Sequence, residues 1–418
     1  MSVHAAATST AAASSAEIPP LNRDRAVQTW VGASALSSAG DAVFTISFAW
    51  AAVHEAPPAL AGFIVGVGTI PQALLLLFGG AIADRFATRR IVLWGNVVRV
   101  LILVVGAWAW EAGTSHIRLM FVVTLSFGVT DAVYKPASST LPRQMVRDAD
   151  LGRVSGMFQV SRRLADFAGA ALGGWLAAAF GLGTAMVVDA ATFAVVGLAL
   201  WAFVRPRFAL PRTGAASFLH GIRQGLGYVR RDEVARTFVL ALTGLNLFIG
   251  PALAIGVALR VSQSGWGAGT LGAVEATVGV GAAVGAAAAI RWRPRRDALL
   301  GFVVLLPQGV AIGVLGVPHL ALVTAAAAVI GVTAGCASVL LSGAYQRSLD
   351  PAYLGRASSM TQLGDLTLLP VMMPLLGWLA HATSVTVACA VFGVGMLLLS
   401  GWGATRPALR GLGAPAPY

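Results

Sequence analysis

The sequence predicts an all-α integral membrane protein with twelve transmembrane helices in two six-helix halves. Three observations carry this: the apolarity of the chain, the recurrence of apolar runs of about twenty residues, and an echo at half the chain length. Of 418 residues, 57% are hydrophobic and 11% charged, and mean hydropathy is +0.78. A soluble domain could not hide that much apolar surface behind a wettable exterior. Runs of Leu, Val, Ala and Gly recur at the length that crosses roughly 30 Å of hydrocarbon at about 1.5 Å per residue. The 49 glycines suit helices that pack closely through small residues in lipid.

Apolar runs between charge clusters predict spans at 27–50, 59–83, 91–110, 117–138, 154–179, 183–204, 235–259, 268–290, 297–316, 319–343, 356–380 and 383–404. Residues 1–26 read as a disordered cytoplasmic tail, without the basic and apolar regions of a signal peptide. A six-helix bundle at 27–204 is followed by a linker at 205–234, a second bundle at 235–404 and a tail at 405–418. The linker alternates basic and apolar residues at helical spacing, which predicts an amphipathic helix on the cytoplasmic surface.

The net charge of +12 comes from 28 Arg, one Lys (Lys135) and 17 acids. In a soluble protein a pI of 11.1 would point to nucleic acid. Here position decides. Loops assigned to one side carry 23 Lys and Arg, and those on the other carry only Arg118 and Arg260. Lys and Arg collect on cytoplasmic loops, so both termini are placed in the cytoplasm and nucleic acid is excluded as a partner.

The echo lies about 205 residues along. Leu151–Gln159, before span 5, matches Leu354–Gln362, before span 11, at six of nine positions. Arg85-Phe86 and Arg89-Arg90 in the 2–3 loop are matched by Arg291-Trp292 and Arg295-Arg296 in the 8–9 loop. Two parallel six-helix halves around a central site account for both.

An ionisable side chain within a span is costly when bare and tolerated when protonated or paired, so it marks function by default. Asp41 in span 1 is the leading proton-coupling candidate, and a helix-packing hydrogen bond is its alternative. Asp131 in span 4 could instead hold the proton or pair with Lys135 one turn on. Arg99 in span 3 would face the cavity and balance Asp41 or Asp131, with a buried structural ion pair as its alternative. In span 5, Arg162 and Arg163 lie one turn before Asp166, the spacing of a local gate or latch. Asp189 in span 6 reads as structural. Glu275 and Asp365 are the in-span acids of the second half and cavity candidates, as are Phe48 and Trp50, whose alternative is core packing. Cys336 and Cys389 stand alone in apolar runs, and no metal or cofactor motif is present.

The stretch Gly79–Arg90, with Gly80, Asp84, Arg85, Arg89 and Arg90, resembles the 2–3 loop motif of the major facilitator superfamily. Tyr134–Val146 and Ser37–Trp50 are similar to the drug and siderophore exporters within it. The resemblance covers residues 25 to 405 and implies the major facilitator fold. In it, Asp84 and Arg85 would latch the halves together in one state. The span-5 antiporter motif is present as Gly169, Gly173 and Gly174, with Ala170 where the family carries Pro. The span-4 arginine of many proton-coupled exporters is absent, and Asp131 is the charge there.

The resemblance implies a monomeric secondary transporter in the bacterial plasma membrane that exports a lipophilic small molecule by alternating access, in exchange for protons. The alternatives are an importing facilitator or symporter, and a non-transporting membrane sensor or scaffold.

Overall fold

The computed structural model describes residues 19–21, 23–75, 87–208, 215–292, 294, 296–410 and 412. Eleven of its helices are long and apolar enough to cross a membrane, and the described residues contain no strand. In lipid every backbone N–H and C=O must find its partner within the segment, which a helix provides.

Helix α1 (Arg25–Glu55) starts at Asp24, whose side chain accepts from the N–H groups of Ala26 and Val27. Pro58 opens α2 (Pro58–Leu75) at a position where a missing N–H costs nothing. Helices α3 (Thr88–Glu111) and α4 (His116–Thr140) follow. Helix α5 (Asp148–Phe203) is 56 residues long, which would reach about 84 Å if straight, far beyond a bilayer core. Gly181 breaks it with φ 75° and ψ −174°, a left-handed backbone open to glycine, between the predicted spans 5 and 6.

Helix α6 (Ala215–Arg231) is the linker helix, and α7 (Glu233–Gln263) begins two residues later, capped by Asp232 accepting from Ala235 N–H at 2.7 Å. Pro251 removes a helical donor in α7, and a π-helical stretch, Ala252–Val257, absorbs the disruption. The chain ends with α8 (Ala268–Trp292), α9 (Asp297–Leu315), α10 (Leu320–Ser348), α11 (Pro351–Ala382), α12 (Val385–Thr405) and a short α13 (Pro407–Arg410). The echoed segments, beginning at Leu151 and Leu354, both start at the fourth residue of their helix, α5 and α11.

Apolar cores segregate along the chain. One buried cluster joins residues of α6–α13, including Phe238, Phe302 and Phe392. Two others belong to α1–α5, around Phe193 and around Trp30. Two seams join these bundles, α5 with α8 and α2 with α11. Both seams are built on glycine. A Cβ at Gly174 would lie 2.5 Å from the Gly272 Cα, and one at Gly62 2.5 Å from the Met373 carbonyl oxygen. Apolar surface gains nothing by leaving lipid, so close backbone approach through small residues holds such helices together. Gly152 and Gly156, nearer the start of α5, have nothing within 4 Å of the corresponding position.

Arg260, read from the sequence as a loop residue, is inside α7 and buried, donating to the Thr386 hydroxyl at 3.0 Å.

Candidate functional site

Where the bundles face each other, α1, α5 and α8 enclose a cavity of about 310 Å³. Ser38, Asp41, Thr45 and Ile46 line it from α1. Arg162, Asp166, Phe167 and Ala170 do so from α5, and Glu275, Val278 and Gly279 from α8. Asp41 lies midway along a 31-residue helix, facing α5 and α8. The structure thus brings together Asp41, Arg162, Asp166 and Glu275, which come from three separate spans.

Their partners differ. Arg162 Nε lies 4.0 Å from Asp166 Oδ2, with 68% of the arginine side chain exposed, so this pair is screened and weak. Arg163 donates instead to the Ser338 hydroxyl on α10 at 3.4 Å, a link from one bundle to the other. Neither Asp41 nor Glu275 has a hydrogen-bond or ion-pair partner among the described residues. Both carboxylates line the cavity without a bonded cation.

Beside Asp41 is a polar network that runs from the buried Arg99 to the half-exposed Lys135. Arg99, 4% exposed, donates to Asp131 Oδ1, and Lys135 Nζ sits 2.9 Å from the other carboxylate oxygen. Tyr134 and Phe193 flank the guanidinium, with ring centroids 3.7 and 4.9 Å from Cζ. Arg99 therefore pairs with Asp131, while its charge, with those of Asp131, Lys135 and Arg162, acts on Asp41 through space. Asp189 is fully buried. One of its oxygens accepts from Thr192 at 3.1 Å, and the other has no partner among the described residues. It abuts Gly40, the neighbour of Asp41.

Sequence reading gave this network in pieces but missed Tyr134 and Phe193 as its walls. An aromatic in an apolar run carries no signal of its own.

Phe48 and Trp50 do not line the cavity. Phe48 is 5% exposed within an apolar cluster of the first bundle, and Trp50 lies against His54, with ring centroids 4.2 Å apart and planes tilted by 46°, and packs against the second. Trp50, nine residues on from Asp41, lies on the opposite face of α1, whereas Phe48, seven residues on, shares that face two turns further along. Asp365 accepts from Asn246 at 2.9 Å, joining α11 to α7 outside this cavity. Gly169 and Gly173 pack on the α1 backbone at Ala39 and Val43, and Gly174 on α8.

Gly80, Asp84 and Arg85 lie outside the described residues. Arg90 is exposed. Arg89 donates to the carbonyls of Trp201 and Val204, both at 2.7 Å, and of Leu200 at 3.4 Å. It closes the C-terminal turn of α5, where helix carbonyls lack partners and a cation is favoured. No group of three His, Cys, Asp or Glu side chains among the described residues could hold a metal ion.

Apolar helices around a charged cavity at the meeting of two bundles define a multi-pass membrane protein of the transporter type. The Major Facilitator Superfamily model matches residues 30–366, and the chain belongs to that family. It is 25% identical over 269 residues to a multidrug resistance protein MdtH of Klebsiella pneumoniae (strain 342), covering 63% of this chain and 56% of the relative. The MdtH protein of Shigella flexneri is 26% identical over 265 residues, with the same coverage. The chain thus matches just over half the length of these relatives.

Among solved structures, a bacterial homologue of the human lysosomal transporter Spinster, inward-facing and occupied, matches with TM-score 0.72 at 12% identity, over 95% of this chain and 100% of that one. The nucleoside transporter NupG matches with TM-score 0.66 at 13% identity, over 90% and 98%. At such identities the likeness is one of fold.

Proposed function

We propose that the protein is an alternating-access exporter of a lipophilic, positively charged small molecule, driven by protons moving the other way. In this reading it has twelve spans in two six-helix halves, α6 is the cytoplasmic linker, both termini are cytoplasmic, and the protein acts as a monomer in a bacterial plasma membrane. The observation that carries it is the pair of unpartnered carboxylates, Asp41 from one bundle and Glu275 from the other, facing one cavity. A carboxylate withdrawn from water is neutralised by a proton or by a cation. A site that accepts either, but not both at once, exchanges one for the other. Asp41, beside the Arg99–Asp131–Lys135 network, is the proton carrier, and Glu275 anchors the cargo's charge. Ile46, Phe167 and Val278 supply apolar walls for the cargo's body.

The MdtH relatives are named for multidrug resistance, which supports a drug cargo, whereas NupG, named a nucleoside transporter, favours a polar solute. A nucleoside needs several matched donors and acceptors. Among the described residues, Ser38 and Thr45 are the only uncharged polar side chains lining this cavity, which supports the lipophilic cargo.

Dye efflux from cells tests the reading. Ethidium, a lipophilic cation, should be exported and neutral Nile Red should not. Glu275→Gln should slow ethidium export about tenfold, the value of one lost charge-assisted contact. Wild-type ethidium export by Glu275→Gln, or equal export of both dyes, would overturn it.

A further inference from the structure

A second cleft, sharing no lining residue with that cavity, lies between α6 and the start of α11. Arg223, Gly227 and Arg231 recur every fourth residue of α6, so they share one face over about 12 Å of helix. Gly227 leaves a notch between the two arginines, and a Cβ there would have nothing within 4 Å. Tyr228 stacks on Tyr353 of α11, with centroids 4.5 Å apart and planes 10° from parallel, and its hydroxyl accepts from Asp350 N–H at 3.4 Å. With Gln224 these residues enclose about 410 Å³.

The charge of this cleft is one-sided. Among the described residues no carboxylate lines it, and neither Arg223 nor Arg231 has an ion-pair or hydrogen-bond partner. Asp232, next in the chain, is engaged in capping α7. A guanidinium carries only donors, so one without a carboxylate partner keeps them for another anion. Two guanidiniums held on one face, over a notch and against an aromatic stack, form instead a receptor for an anion with several acceptor oxygens.

We infer that this cleft binds an anionic phosphoryl group between Arg223 and Arg231. A lipid headgroup is one source, because α6 is amphipathic and apolar α7 begins two residues after it. A soluble phosphate is the other. The bound group would tie the linker helix to α11 of the second bundle.

The test uses the full-length protein purified in detergent with equal phosphatidylglycerol and phosphatidylcholine, and counts retained lipid by native mass spectrometry. Inorganic phosphate at millimolar concentration is the competing arm. The wild type should retain phosphatidylglycerol preferentially, and Arg223→Ala/Arg231→Ala should lower that retention about tenfold. The charge-matched pair Arg205→Ala/Arg291→Ala should not. Displacement of the lipid by inorganic phosphate supports the site and makes soluble phosphate a ligand, and resistance to it assigns the site to lipid. Equal loss in both double variants would reduce the effect to general surface charge and overturn the inference. So would the absence of any Arg223/Arg231-dependent binding of either phosphatidylglycerol or phosphate.

Discussion

Asp24 shows how much one side chain can do at a helix start. It is buried, caps α1, and forms an ion pair with Arg207 from the chain beyond α5, including a 2.9 Å bond from Nη2. Burial pushes its carboxyl up, but the Arg207 hydrogen bond and charge, with the Val27 and Ala26 amides, outweigh this and hold it below its ordinary value. A carboxyl whose folded pKa lies below its unfolded one stabilises the fold above the unfolded value, and that gain is lost as pH falls through the folded value. Asp24→Ala should therefore cost about 2 kcal/mol at pH 7, from the lost cap and pair, discounted because Arg207 is partly solvated. Thermal unfolding in detergent reads this as a lowered Tm, and the gap from wild type should narrow toward pH 3. An unchanged Tm at pH 7 would contradict it. At this scale the sequence was legible wherever a charge interrupts an apolar run, as with Asp41, Arg162, Asp166 and Glu275. Partner choice was not legible: Arg99 goes to Asp131 and Arg163 to Ser338 because of helix rotation, which spacing within one span does not encode.

Among the elements, hydropathy located the spans because it measures the part of a helix that needs lipid. It stopped short where helices continue into polar surroundings. Helix α10 runs on to Ser348 and α11 starts at Pro351, each about five residues beyond the predicted spans. The π-helical stretch after Pro251 was also hidden, since a proline signals a disruption but not the form of its repair. The seam between α5 and α8 depends on backbone contact at Gly174 and Gly272, where a Cβ on Gly272 would lie 2.8 Å from the Ala170 carbonyl oxygen. Gly272→Val should push these helices apart at a cost of about 1–3 kcal/mol. It should lower Tm and weaken disulfide cross-linking between cysteines placed at Phe167 and Gly279, which meet across the seam. Wild-type cross-linking with wild-type Tm would show that the seam tolerates bulk.

For the whole molecule, the echo between Leu151–Gln159 and Leu354–Gln362 reappears as the same register in α5 and α11. In the proposed reading, the largely distinct apolar cores would let each bundle move as a body about the two glycine seams. Asp41 and Glu275 come from opposite bundles, so rocking one against the other would change what both carboxylates face. That coupling of proton to cargo is the central claim. It is tested most directly in proteoliposomes carrying a pH-sensitive dye, by imposing an ethidium gradient and recording proton flux. The wild type should move protons against the direction of ethidium flow, and Asp41→Asn should abolish the proton signal while still exchanging ethidium downhill. Ethidium flux through the wild type without proton movement, or an undiminished proton signal in Asp41→Asn, would contradict the account.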